Sequence, residues 1–319
     1  MTHASALSKT TRTDGNVHLP CTVDVCIPVF RSDPTALVRQ LAEQDGAVRT
    51  ALRIYDDGSG DAALTRMMET ALADYPGPST LIEAKRNRGR AVARNALLAA
   101  AESDWLLLLD SDMRIDGTMF LSAYRKAADE QGDPCCIVGG LAIDRHGVTA
   151  STRLHAMQSL ASECLPARRR AADPARYVFT SNIFLHRAIP EAVRFDDRFK
   201  GWGWEDVDWG LRISRQFPVL HIDNQALHLG LDTASDLIGK YAESGPNFLR
   251  MLENHPDAVA RMPVYRWARR LAGFPGRGMV TATARAFALA EVMPARLRLV
   301  ALKLYRAGLY GEVLHDSDR

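Results

Sequence analysis

The sequence predicts an α/β protein with a mainly parallel central sheet flanked by helices and a helical C-terminal extension. Three observations lead there. Between Val23 and Leu109, four short apolar runs alternate with segments of helical period, as strands of a parallel sheet covered on both faces do. The runs at 52–56 and 105–109 lead directly into acidic turns, where open parallel sheets bind their ligands. Beyond Asp232 the pattern is mainly helical.

Taken in order, residues 1–21 are rich in Ser, Thr, Asp and His and read as a flexible arm. Val23–Val29 is the first strand; Asp33 or Ser32 then caps a helix that Pro34 begins, with Leu37, Val38 and Leu41 on its apolar side. Residues 52–61 form a strand ending in a polar turn, followed by a helix carrying Leu64, Met68 and Leu72. A short strand at Leu81 and Ile82, a helix over about 89–101 and the strand Trp105–Leu109 complete the alternation. Residues 119–128 are helical, and 135–143, 177–185 and 219–223 read as strands. Pro294 interrupts the helical pattern of the tail.

Charge divides the chain. Residues 260–319 hold 11 basic against 4 acidic residues, whereas the remainder holds 29 against 34. An acidic body and a basic tail without a recognition motif argue against nucleic acid as a partner. In the tail, Arg interleaves with apolar residues, and Trp267 and Tyr305 stand at interface positions. It either lies along an anionic membrane or packs its apolar side on the α/β domain or a second copy in a homo-oligomer. No run approaches the roughly 18–20 apolar residues that span a bilayer, and residues 1–19 lack the apolar core of a signal peptide. The expected location is cytoplasmic, or peripheral on the cytoplasmic face of the membrane. Five Cys without a CxxC read as buried thiols, with Cys135 and Cys136 on opposite faces of one strand.

Four segments carry chemistry. In the turn Asp56-Asp57-Gly58-Ser59, a carboxylate accepts hydrogen bonds from a base or ribose; alternatively Asp56 orders the turn and Asp57 caps the next helix. Neither GxGxxG nor GxxxxGK[ST] is present, which argues against a dinucleotide fold and excludes a P-loop. In the second acidic turn, Asp110 and Asp112 are two apart, so in extended geometry they share a side and Ser111 points away. Two such carboxylates repel unless a cation or proton intervenes, and an oxygen site with few protein ligands suits Mg2+ or Mn2+ shared with phosphates. The plain alternative is that both cap the following segment. Residues 85–95 set Arg86, Arg88, Arg90 and Arg94 around Asn87 and Gly89 at a helix start, suited to a diphosphate or simply a solvated basic face. Arg94, embedded among alanines, is the strongest candidate there. Residues 200–210 alternate three Trp with glycines and acids, a combination that holds a sugar by stacking and hydrogen bonds, with Glu205 or Asp206 as proton acceptor. The alternative is a loop of aromatic anchors and a capped helix starting near Glu205. His228 is placed to complete a metal shell, with His221, inside a short strand, as rival.

Taken together, VDVCIPVF (23–30), YDDGSGD (55–61), NRGRAVARN (87–95) and LLLLDSDM (106–113) resemble a family 2 glycosyltransferase of the GT-A fold. GWGWEDVDW (201–209) resembles the acceptor segment of inverting galactosyl- and N-acetylgalactosaminyltransferases, with Trp204 standing where that segment commonly has Gly. The resemblance covers about residues 22–230. It implies a catalytic domain over 22–232, with a nucleotide-sugar half at about 22–113 and an acceptor half at 114–232, and a basic extension over 233–319. It implies a UDP-sugar donor, with UDP-Gal or UDP-GalNAc favoured over UDP-Glc or UDP-GlcNAc, a divalent Mn2+ or Mg2+, and a glycan or lipid-linked saccharide acceptor. Asp57 would hold the uracil and Phe30 border it, with Pro28, Asn87, Gly89, Arg94, Asp110 and Ser111 completing the donor set. Asp112 and His228 would ligate the metal. Asp206 would be the general base, Glu205 would contact sugar hydroxyls, and Trp202 would lie between donor sugar and acceptor. The QxxRW signature of processive synthases is absent, which implies single additions. The competing class is a nucleotide-sugar-binding module without turnover.

Overall fold

The computed structural model describes residues 7–13 and 21–318. Its strands are β1 (Leu7–Thr13), β2 (Val23–Val29), β3 (Thr50–Asp56), β4 (Ser79–Ala84), β5 (Trp105–Leu109), β6 (Met113–Arg114), β7 (Cys136–Val138), β8 (Leu141–Ile143), β9 (Asn182–His186), β10 (Val219–His221) and β11 (Ala226–His228). Eight make one sheet in the order β1-β4-β3-β2-β5-β9-β7-β10, and β6-β11-β8 make a small second sheet. β4, β3, β2 and β5 run parallel, so the ends of β2, β3 and β5 open at one edge. β9 is antiparallel to β5 and β7, and β10 is parallel to β7.

The chain divides into two compact units. The first comprises residues 1–142, 164–197 and 209–230, and contains the large sheet. Period-two alternation feeds both of its faces. Val23, Val25, Ile27, Leu107 and Leu109 enter one core with the helices Thr35–Ala42, Ala62–Ala73 and Phe120–Gln131. Cys26, Leu106 and Leu108 enter the other with the helix Arg90–Ala100. Cys135 and Cys136 fall into opposite cores, as strand geometry requires. One strand position breaks the apolar run: buried Asp24 pairs with Arg53 on β3 and accepts the N–H groups of Glu102 (2.8 Å) and Ser103 (2.6 Å). A buried charge persists only when paired and hydrogen-bonded in this way.

Three sequence expectations change. Within the expected arm, Leu7–Thr13 is an edge strand antiparallel to β4; its threonines suit a pleated edge, and β4 offers it unpaired backbone groups. The rest of residues 1–20 lies outside the described residues. The strand expected over 135–143 splits at Gly139 and Gly140, because buried Arg170 fills that point. Arg170 donates to the carbonyls of Leu165 (2.9 Å), Val138 (3.1 Å), Gly139 (3.1 Å) and Ile222 (2.7 Å). A Cβ on Gly140 would lie 2.5 Å from that guanidinium. The strand expected over 177–185 begins only at Asn182, after a 3-10 turn over Pro174–Tyr177.

The second unit comprises residues 143–163, 198–208 and 231–319, so residues 200–208 of the tryptophan-rich stretch group with the C-terminal helices. Its core gathers Leu154, Leu237, Ile238, Tyr241, Leu302 and Tyr305. The long helix Ala295–Ser317 starts directly after Pro294 and packs on Pro263–Ala272 and Arg277–Leu289. Gly308 and Gly311 permit that approach: a Cβ on Gly308 would meet Thr281 Oγ1 at 2.1 Å.

Candidate active site

The first acidic turn is laced from three segments. Asp56 accepts from Ser59 N–H (3.0 Å) and Ser59 Oγ (2.5 Å), and Ser59 Oγ in turn accepts the Arg31 N–H (2.7 Å). Asp57 accepts the N–H groups of Arg88 (2.9 Å) and Gly89 (2.8 Å). Helix capping therefore does not account for Asp57: the cap of Ala62–Ala73 is Asp61. Instead Asp57 ties the end of β3 to the loop carrying Asn87 and Gly89. Gly58 is required where the two meet, since its φ is +77° and a Cβ would lie 2.3 Å from the Arg86 carbonyl carbon. Burial pushes the Asp57 carboxyl above its usual range, against the pull of its two backbone donors. Pro28 is half-buried on β2, and Phe30 just beyond that strand is 43% exposed with the Arg31 guanidinium 5.0 Å from its ring.

The second turn departs from extended geometry. The Met113 N–H donates to the Asp110 carbonyl (3.2 Å), closing a turn that gives the two carboxylates different partners. Asp110 accepts from Arg94 (3.0 Å), with Arg90 at 3.8 Å, so Arg94, 1% exposed, orders the acidic turn. Ser111 Oγ donates to Ser32 Oγ (3.0 Å). Asp112 Oδ2 meets His228 Nε2 at 3.1 Å across 116 positions of sequence. The short β6–β11 ladder makes that meeting, pairing His228 with Met113, while the Leu229 N–H donates to the Asp112 carbonyl (3.0 Å). Gly230 leaves the space beside the pair: a Cβ there would lie 2.1 Å from Asp112 Oδ2 and 3.2 Å from His228 Nε2. Burial works to raise the Asp112 carboxyl, but the hydrogen bond and charge of His228 outweigh it and hold the group below its usual range.

His221 is removed as a rival ligand. Its Nε2 lies 3.1 Å from the Pro174 carbonyl and its Nδ1 2.8 Å from Arg170, and burial pushes its pKa down to about 4. Among the described residues no group of three or more His, Cys, Asp or Glu could hold a metal. Asp112 and His228 with the glycine-lined space beside them fit the smaller demand of an ion that takes its other ligands from a diphosphate.

Trp202, Glu205 and Asp206 belong to the second unit. Glu205 and Asp206 stand in the first turn of the helix Glu205–Ile213; Glu205 is buried and Asp206 half-buried. The alternative reading of this stretch, aromatic anchors, describes two of its three tryptophans. Trp209 is fully buried in the first unit, stacked on Phe195 (4.0 Å) with its N–H on the Val193 carbonyl (2.7 Å). Trp204 donates to Tyr310 Oη (2.9 Å) under the Arg306 guanidinium (4.8 Å). Trp202 is half-buried, edge-on to Tyr241 at 5.1 Å. Sequence reasoning missed Asp208, which is buried and held by Asn254 and His255, both at 2.9 Å. Nothing local marks that contact, because its partners lie more than 45 positions away.

The ordered sheet edge with its two acidic turns is matched at the level of sequence. The model of glycosyl transferase family 2 covers residues 24–182. This chain carries a family 2 glycosyltransferase domain. Its GT-A type fold is similar to that of the mannosyltransferase PcManGT of Pyrobaculum calidifontis, solved with GDP-Man and Mn2+ (TM-score 0.58, 16% identity, 92% of this chain and 88% of that one). It is also similar to residues 1–349 of S. aureus TarS (TM-score 0.50, 16% identity, 93% of this chain and 91% of that one). That protein has also been solved with UDP-GlcNAc (TM-score 0.50, 15% identity, 93% and 91%). No curated protein sequence matches the chain significantly.

Proposed function

We propose that this glycosyltransferase transfers a hexose or N-acetylhexosamine from a UDP-sugar, with UDP-Gal or UDP-GalNAc favoured, to a hydroxyl of a glycan or lipid-linked saccharide, with inversion. The observation that carries the reading is the meeting of Asp112 and His228 beside Gly230 at the end of the parallel sheet. Asp57 and the loop it organises form the nucleotide end of the donor site, with Phe30 against the base. Asp112 and His228 would hold a divalent cation, which would neutralise charge on the departing diphosphate. Arg94 and Arg90 keep Asp110 in place beside it. Asp206 accepts the proton of the attacking hydroxyl as the acceptor oxygen bonds to the anomeric carbon and the diphosphate leaves from the opposite side. A single displacement needs no second carboxylate as nucleophile, unlike a retaining glycosidase. That PcManGT was solved with Mn2+ and TarS with UDP-GlcNAc supports metal and nucleotide-sugar chemistry on this fold.

Nucleotide release from UDP-Gal, UDP-GalNAc, UDP-Glc, UDP-GlcNAc and GDP-Man against a glycan panel tests the reading. The expected result is turnover of a UDP-hexose with product of inverted configuration by NMR. Retention would overturn the single displacement, and nucleotide-sugar binding without transfer to any acceptor would favour a module without turnover.

The same reading places the enzyme on an anionic membrane surface, near a lipid-linked acceptor. No helix among the described residues is long and apolar enough to cross a membrane. The C-terminal helices and the turns between them nevertheless expose Trp267, Phe274, Met279, Phe287, Val292 and Val300. Arg266, Arg270, Arg285, Arg296 and Lys303 are exposed along the same helices. Each basic residue near an anionic surface contributes about 1 kcal/mol, weakened by salt. Because these helices build the second unit's core, the test uses surface substitutions rather than truncation. The wild type should co-sediment with phosphatidylglycerol vesicles and not with phosphatidylcholine vesicles, and Trp267→Ser with Phe287→Ser should reduce binding. A wild type that ignores both vesicles and sediments as a dimer that the same substitutions dissociate would assign the face to a second copy.

A further inference from the structure

Trp204 stands in the left-handed region, with φ +78°, between Gly203 at +92° and the first helical residue, Glu205. A bulky aromatic seldom occupies that region. Its carbonyl accepts the Asp208 N–H (2.9 Å), the first hydrogen bond of the helix whose opening turn holds Glu205 and Asp206. The backbone of Trp204 thus sets the direction in which that turn begins.

What holds this conformation comes from the C-terminal helix. The Trp204 indole N–H donates to Tyr310 Oη (2.9 Å), and the Arg306 guanidinium lies over the indole at 4.8 Å. The same guanidinium lies over Tyr241 (4.9 Å) and Tyr310 (5.3 Å), and Arg306 Nε donates to Tyr310 Oη (3.1 Å). Tyr310 is itself fixed, stacked on Phe248 at 4.1 Å and hydrogen-bonded to Ser244 Oγ (2.9 Å). Cation–π contact of a desolvated Arg with Trp is the strongest of its kind.

We propose that Arg306 and Tyr310 are positioning residues for the acceptor side of the reaction: they hold Trp204 in its left-handed conformation and thereby aim Asp206. The proposal rests on the reading of Asp206 as the base. It gives the basic tail a part in turnover that does not depend on a membrane.

The test is a double-mutant cycle between Trp204 and Arg306. Arg306→Met keeps the length of the side chain and removes its charge and donors; kcat should fall about 10–100-fold, the scale of a small misplacement of a reacting group. The donor KM should stay within about twofold, because uniform donor binding is untouched. Lys does not reproduce a stacked guanidinium, so Arg306→Lys should recover only part of the loss. Trp204→Gly accepts the backbone conformation freely but removes the handle that Arg306 grips, so the double variant should fall no further than Trp204→Gly alone. Urea unfolding of the same four proteins reads the coupling without turnover and should also be non-additive. Additive effects on kcat, or Arg306→Met with wild-type kcat, overturn the proposal. Full activity of Asp206→Asn would instead overturn the base assignment, whatever the cycle shows.

Discussion

Asp206→Asn is expected to lower kcat by about 10²–10⁴-fold, the usual worth of general-base assistance, while leaving donor affinity within a few-fold. That is a barrier increase of about 3–5 kcal/mol, all of it in the transition state. The choice of Asp206 over its neighbour follows from burial. Both acids sit in the first turn of Glu205–Ile213, but Glu205 is buried and Asp206 keeps an exposed edge. A base must reach an incoming hydroxyl. Glu205→Gln should therefore act more on acceptor KM than on kcat. If Asp206→Asn stays within a few-fold of wild type while Glu205→Gln is inactive, the two roles exchange.

Asp112→Asn is expected to remove more than about 10²-fold of metal-dependent turnover and to abolish the strengthening of UDP binding by Mn2+ in calorimetry. His228→Ala should lose less, because water can take the place of an imidazole at a labile divalent ion. Gly230→Ala supplies the sharper check. It keeps both ligand residues, but its new methyl would fall 2.1 Å from Asp112 Oδ2, so either the carboxylate or the backbone at 230 must move. Its phenotype should resemble Asp112→Asn in metal dependence while UDP binding in chelator stays at the wild-type level. Full activity of Asp112→Asn in excess chelator would end the metal assignment.

Much of this was written locally. The parallel strands β2, β3, β4 and β5, the turns at Asp56–Asp57 and Asp110–Asp112 and the helix beginning at Glu205 follow from apolar periodicity and turn residues a few positions apart. Local physics of that kind survives in any context. The glycine at 58 was legible as a turn residue, yet the reason it admits no other side chain, the Arg86 backbone against it, was not. Likewise Asp57 read equally well as a helix cap until its two backbone donors, more than 30 positions away, were seen.

The remainder depended on which distant segments the fold brings together. Asp112 finds His228 116 residues on because two short strands pair, and Trp204 finds Tyr310 106 residues on because the last helix packs on the loop. Asp110 proved to be an ion-pair partner of Arg94, so the two acids of one motif took different tasks. Trp209, alike in sequence to Trp202, went to a core. Residue type and spacing specify what a side chain is able to do, since that chemistry is its own. Burial and partner decide what it does, and both are properties of chain segments far apart in sequence that only folding places side by side.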